Sequence, residues 1–182
     1  MMVWLWLVGC AAHTVDVSVD PGQGTVDEVT AILETRMSAI GARKYKVEPA
    51  EDSVTITLLP EDQPRLDAIL QSPRLSIGWE GDEPFSEDVA PKLLQCLDTP
   101  NGVMWRIKFE SYEADMMRIQ TELHGAGTLV FRVDGESITE PYVPEPITGG
   151  TAMAPLEMSY RDCRVLSAQI LGGPLPEGVG LR

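Results

Sequence analysis

Along this chain, runs in which apolar and polar residues alternate are separated by runs in which apolar residues recur at helical spacing. Val15, Val17 and Val19 line one face of a predicted strand over 14–19, which Pro21-Gly22-Gln23-Gly24 breaks. Thr25 opens a capping box with Glu28. Val26, Val29, Leu33, Met37 and Ile40 then follow at helical spacing, and Gly41 ends the helix. A short strand over 44–48 carries Tyr45 and Val47, and Val54, Ile56 and Leu58 alternate with Thr55 and Thr57 in the clearest strand of the chain. Glu61 and Asp62 sit at the positive end of a second predicted helix with Leu66, Ile69 and Leu70 inward, and Leu75, Ile77 and Trp79 alternate again. The order over 14–79 is β-α-β-β-α-β. It predicts a ferredoxin-like base, a four-stranded antiparallel sheet with two helices on one face.

Residues 80–102 begin with an acidic stretch broken by Gly and Pro, and read as a linker with one helical turn near Leu93–Leu97. Val103, Trp105, Ile107 and Phe109 then form a half-buried strand. Ser111 is placed to cap a helix in which Tyr112, Met116, Ile119 and Leu123 share the expected inward face. Leu129, Phe131 and Val133 make a further strand, and Asp134-Gly135 is a hairpin signal. The return strand over 137–143 is an edge strand because Pro141 lacks an amide donor. An irregular loop over 144–155 contains Gly149-Gly150. Ser159 caps a last helix with Cys163, Leu166 and Ile170 inward, and residues 175–181 hold a final strand. The fold class expected is α+β, with 103–182 as a second small subdomain.

The N-terminal run MMVWLWLVGCAA is strongly apolar but far short of the roughly 20 residues a spanning helix needs. It ends in Leu7-Val8-Gly9-Cys10, which resembles the lipobox of bacterial lipoproteins. That resemblance implies that residues 1–10 are a signal peptide ending at the lipobox cysteine, that Cys10 is lipidated, and that more than one acyl chain anchors the protein stably. No Lys or Arg precedes the apolar core, since the first basic residue is Arg36, and a buried first strand is the competing reading. Ala11 after the cysteine favours the outer membrane by the enterobacterial sorting rule.

Twenty-eight acidic against 14 basic residues give a net charge of −14 over 182 residues, which argues against nucleic-acid binding and against an electrostatic grip on anionic lipids. Apolar residues make up 43% and charged residues 23%, ordinary values for a globular chain. Beyond Cys10, Cys96 and Cys163 are placed either to pair in an oxidising compartment or to sit as buried thiols. With only His13 and His124, no CxxC and no GxSxG, the chain offers no nucleophile, metal or cofactor site, and it is read as a non-enzyme without cofactors.

Arg36, Ala39-Ile40-Gly41, the run Val54-Thr55-Ile56-Thr57-Leu58-Leu59-Pro60, and then Leu66–Leu70 and Leu75-Ser76-Ile77 resemble the opening of the first periplasmic domain of the preprotein translocase subunit SecD. The second half is the more specific match. Asp134-Gly135, Ile138, Pro141, Val143, Glu145-Pro146-Ile147 and Gly149-Gly150 follow the pattern of the SecD head, and Gly173-Pro174-Leu175-Pro176 resembles its close. The resemblance implies a base-plus-head fold and a location outside the inner membrane, and only weakly a role in handling translocated polypeptide. SecD continues into transmembrane helices whose charged residues are implicated in proton-coupled work, and a chain ending at Arg182 is not expected to carry that work.

The reading that follows is a lipid-anchored envelope protein facing the periplasm. It takes exported polypeptide or a translocase or envelope protein at a head loop over 142–158, by edge-strand addition and apolar contact. The candidate contact residues are Tyr142, Val143, Ile147, Gly149, Gly150, Met153 and Leu156. Gly149-Gly150 is either a structural turn or a flexible recognition element, and Met153, Leu156 and Met158 are either core or an adaptable exposed surface. The alternative is a scaffolding envelope lipoprotein that kept the fold and lost the translocation role.

Overall fold

The computed structural model describes residues 14–42 and 44–182. Cys10, the apolar run before it and His13 lie outside the described residues. In chain order the elements begin β1 (Val15–Asp20), α1 (Val26–Ile40), β2 (Tyr45–Pro49), β3 (Val54–Leu58), a 3-10 turn (Pro60–Arg65), α2 (Leu66–Ile69), β4 (Leu75–Trp79), β5 (Pro84–Ser86), β6 (Leu93–Thr99) and β7 (Gly102–Lys108). They continue with α3 (Ser111–His124), β8 (Gly127–Val133), β9 (Glu136–Thr139), β10 (Tyr142–Val143), β11 (Thr151–Leu156), α4 (Tyr160–Leu171) and β12 (Gly180–Leu181). The fold is α+β.

The first sheet has the order β12-β1-β3-β2, antiparallel throughout. Val17 lies opposite Ile56, and Ile56 opposite Val47, so the alternating residues meet in one layer. Helix α1 covers that layer with Val29, Leu33, Met37 and Ile40. Its start is fixed by the Thr25 hydroxyl, which accepts from the Glu28 amide at 3.2 Å, and its end by Gly41 in the left-handed conformation.

The second helix and fourth strand of this series are not those expected. Leu75–Trp79 leaves the first sheet and pairs with β8 and β5, while Gly180–Leu181 pairs with β1. Two physical causes are visible. Pro60 and Pro64 hold residues 60–65 in a 3-10 turn, so α2 has only four residues, about 6 Å of helix, and cannot roof a sheet. In β4, Leu75, Ile77, Gly78 and Trp79 are all buried, which suits a strand flanked on both sides. The ferredoxin-like series is completed instead by α4 and β12, with residues 60–159 looped out between β3 and α4.

The looped-out part holds two sheets, β10-β8-β4-β5 with β9 also on β8, and β11-β7-β6. Residues 93–97, expected as a helical turn in a linker, belong to β6: Leu94 and Cys96 point into the core and Leu93 and Gln95 do not. The loop expected through Pro155 ends at Gly150, because Ala152, Ala154 and Leu156 alternate inward along β11. Trp105 and Ile107 of β7 and Leu129 and Phe131 of β8 form the centre of this second core. Helix α4 serves both cores. Ala168 packs with the first, and Cys163 and Ile170 pack with the second.

Cys96 on β6 and Cys163 on α4 form a disulfide across 67 residues, fastening the second core to the helix that completes the first sheet. Beside it, the Trp105 indole donates to the Ser167 hydroxyl at 2.9 Å.

Helix α3 turns its expected inward face outward. Tyr112 is 70% and Leu123 79% exposed, while Met117 and Thr121 are buried. The polar Thr121 is tolerated inside because its hydroxyl donates to the Met117 carbonyl at 2.7 Å and accepts from the Ile147 amide at 2.9 Å.

A candidate polypeptide-binding groove

The groove is built from a hairpin that is deliberately interrupted. Asp134 and Gly135, both at positive φ, turn β8 into β9. The Asp134 carboxylate accepts from the Arg74 amide at 2.9 Å and fixes the turn to the strand behind it. Pro141 then ends the first pairing, and its carbonyl accepts from the Leu129 amide at 3.0 Å. Two residues of β10 follow, Tyr142 opposite Thr128 and Val143 opposite Gly127, before Pro144 stops the strand.

From there the chain crosses to the other sheet. The Ile147 amide bonds Thr121 on α3, and the Gly150 carbonyl accepts from the Phe109 amide at 3.0 Å. Gly150 has φ +59, and a Cβ there would lie 2.8 Å from the Ala114 Cβ. Between β10 and β11 the interrupted backbone leaves an open cavity of about 240 Å³. Leu129 and Phe131 lie beneath it, Val143 and Ile147 line its wall, and Tyr142 and Met153 stand at the rim, 66% and 45% exposed. Glu145 is the one lining residue charged at neutral pH, so the surface is apolar and uncharged over most of its extent.

Of the residues expected to make contacts, Tyr142, Val143, Ile147 and Met153 come together in this cavity. Gly149, Gly150 and Leu156 do not line it. Gly150 packs on Ala114, and Leu156 faces the core. Met158 packs against the same core. The floor residues Leu129 and Phe131 were missed, because their alternation reads as ordinary core and nothing local marks them as reachable.

Among the described residues there is no group of three His, Cys, Asp or Glu able to hold a metal ion, and no helix is long and apolar enough to cross a membrane. His124 stacks on the Trp79 indole, with ring centres 3.8 Å apart and planes 12° from parallel. The residues with displaced protonation lie elsewhere. Burial pulls the Arg36 guanidinium down to about 10, the Gly22 amide holds the Asp20 carboxyl below its ordinary range, and hydrogen bonding to Asp52 raises Arg182.

An α+β frame thus carries an interrupted edge strand beside a largely apolar groove. Comparison with known proteins gives no match to any family model and no match to any curated protein. Solved structures do match. A structure of SecDF, described as a membrane component that enhances protein export, aligns at TM-score 0.66 and 17% identity over 92% of this chain and 97% of that one. SecDF in its super-membrane-facing form aligns at TM-score 0.69 and 17% identity over 92% of this chain, which spans 29% of that longer chain. At this identity the likeness is one of fold, and at that level it bears out the resemblance read from Arg36, the 54–60 strand and the 134–150 run.

Proposed function

We propose that this chain is a non-enzymatic, lipid-anchored protein of the cell envelope. On this reading it faces the periplasm, held through Cys10, with the outer membrane slightly favoured, and it binds exported polypeptide or a translocase or envelope partner. Its only membrane contact is the anchor, and it has no nucleic-acid partner. The observation that carries the reading is the groove between β10 and β11, where Tyr142 and Met153 are exposed over a floor of Leu129 and Phe131. An apolar cavity bordered by Met and Tyr accepts side chains of many shapes, as a binder of unfolded chains requires. Apolar contact rather than strand addition is the mode the site favours, because β10 has two residues between Pro141 and Pro144. The likeness to SecDF and the Cys96–Cys163 disulfide both support an extracytoplasmic site of action.

Two measurements test the proposal. Intact mass of the native protein from a membrane fraction, beside a Cys10→Ala variant, is expected to show an acylated chain beginning at Cys10. A full-length cytosolic chain removes the anchor. Separately, a reduced, carboxymethylated unfolded protein is the binding probe, and Tyr142→Ser with Met153→Ser is expected to weaken its binding about tenfold, ~1.4 kcal/mol. Unchanged binding removes the groove.

A further inference from the structure

Strand β6 presents an edge that, among the described residues, no other strand pairs with. It terminates the sheet β11-β7-β6, pairs with β7 along all seven of its residues, and among the described residues no backbone hydrogen bond reaches its other side. The remaining sheet edges are shorter or protected; β9 has four residues and its Thr139 lies against β11. β10 and β12 have two residues each, and β5 has three and begins with Pro84. β2 carries the Lys46–Glu48 ion pair and ends in Pro49. β11 contains Pro155, whose carbonyl is taken by the Thr139 hydroxyl. β6 has no proline, and Asp98 is its only charged residue. A free edge of this length and neutrality is the kind that proteins ordinarily blunt with charge, proline or a covering element.

A second, independent feature lies beside it. Helix α4 packs beside β6, and a cleft of about 520 Å³ lies between them, lined by Leu93, Gln95 and Cys96 on one side and Tyr160, Arg164 and Leu171 on the other. Tyr160 is 41% exposed there. The Arg164 guanidinium donates to the Ala39 carbonyl at 2.6 Å, a neutral partner, so the cleft combines the apolar and aromatic surface of Leu93, Tyr160 and Leu171 with one positive charge.

We propose that the β6 edge takes up an extended segment of another polypeptide as an added strand, with alternate side chains of that segment resting in the cleft over α4. The edge supplies alternating amide donors and carbonyl acceptors, which only a second extended backbone satisfies in register. The cleft then selects apolar side chains at every second position. A segment whose side chains are uncharged fits, because Arg164 lines the cleft and Arg106 and Lys108 lie opposite Gln95 and Leu93 on β7, while the chain as a whole carries a net charge of −14. The same charge opposes a second copy at this edge. This site is on the far side of the three-stranded sheet from β11 and does not depend on the β10–β11 groove.

The test uses the full chain, isotopically labelled, with a seven-residue peptide of alternating Val and Thr flanked by Ser. Hydrogen exchange at β6 amides is expected to slow about tenfold on saturation, with Tyr142 and Val143 unaffected. A twin peptide N-methylated at every amide is expected to bind at least about tenfold more weakly, and Tyr160→Ser to weaken binding about fivefold. Tyr142→Ser with Met153→Ser, which disables the groove, is expected to leave this binding unchanged. Protection at 142–143 in place of β6, equal binding of the methylated twin, or β6 protection that rises with protein concentration in the absence of peptide would each overturn the proposal.

Discussion

The guanidinium of Arg36, fully buried on α1, donates a hydrogen bond to the carbonyl of Gly173, 137 residues further along the chain. The same group donates to the carbonyls of Ile69, the last residue of α2, and of Gln71 just after it. One side chain of the first sheet's helix thus ties the end of α2 to the segment that follows α4. No carboxylate faces it, and the three carbonyls are its compensation. Arg36→Met is expected to lower the unfolding free energy by about 3 kcal/mol, since it leaves buried acceptors unpaired. Arg36→Lys is expected to recover only part of this, because an ammonium cannot span the fork. Urea titration of the variants measures both.

The protonation of Arg36 gives a pH prediction of definite sign. Burial lowers its folded-state pKa to about 10, well below the ordinary arginine value, so between the two the unfolded chain binds more protons and stability attributable to this group rises with pH. Below about 10 both states are charged and the group contributes no slope. An unfolding series in which the wild type and Arg36→Met diverge through neutral pH would contradict this assignment.

Reducing the disulfide, or replacing both Cys96 and Cys163 by Ala, is expected to cost about 2–4 kcal/mol. The loss is expected to appear as separation of β6 from α4, so tryptophan emission from Trp105, bonded to Ser167 on α4, reports it directly. Thermal melts with and without reductant make the comparison.

Gly150→Ala is expected to destabilise by about 1–3 kcal/mol, because φ is +59 and the new Cβ would lie 2.8 Å from that of Ala114. Adding Ala114→Gly removes the collision but not the backbone strain, so the double variant recovers part of the loss. A double-mutant cycle separates the two effects.

Asp20 accepts from the Gly22 amide at 3.0 Å and from Arg182 at 3.3 Å, and its carboxyl titrates below the ordinary value. A depressed carboxyl contributes stability above its unfolded pKa and loses it as pH falls through the folded one. The gap between wild type and Asp20→Asn is therefore expected to be present at neutral pH and to close in acid. Both residues are exposed, so the gap is small.

The first sheet shows how far local pattern carries. β1, α1, β2 and β3 were legible because each has a clean period and a defined stop, Thr25 and Gly41 above all. What joins them was not. Periodicity marks Leu75–Trp79 and Gly180–Leu181 equally as strands, and which one reaches β1 depends on helix length and on burial of both faces of β4, set by distant residues. Helix α3 misled for another reason. Its most apolar stripe is exposed, and a buried Thr121 satisfied through Ile147 leaves no sign in a hydrophobic pattern. In the groove, Pro141 and the residues after it marked Tyr142, Val143, Ile147 and Met153, while the floor supplied by Leu129 and Phe131 needed the third dimension.

The position of β12 has a consequence for biogenesis. Arg182, at the end of that strand, is bonded to Asp20, 162 residues earlier. Until residues 160–182 have been synthesised, β1 has no neighbour on one side and α1 has only the short α2 beside it in place of α4. A nascent chain with this wiring cannot close its first layer early and stays threadable while it is being made. Locking is deferred to the moment the final helix and strand arrive, and from then on the oxidation of Cys96 and Cys163 makes it durable.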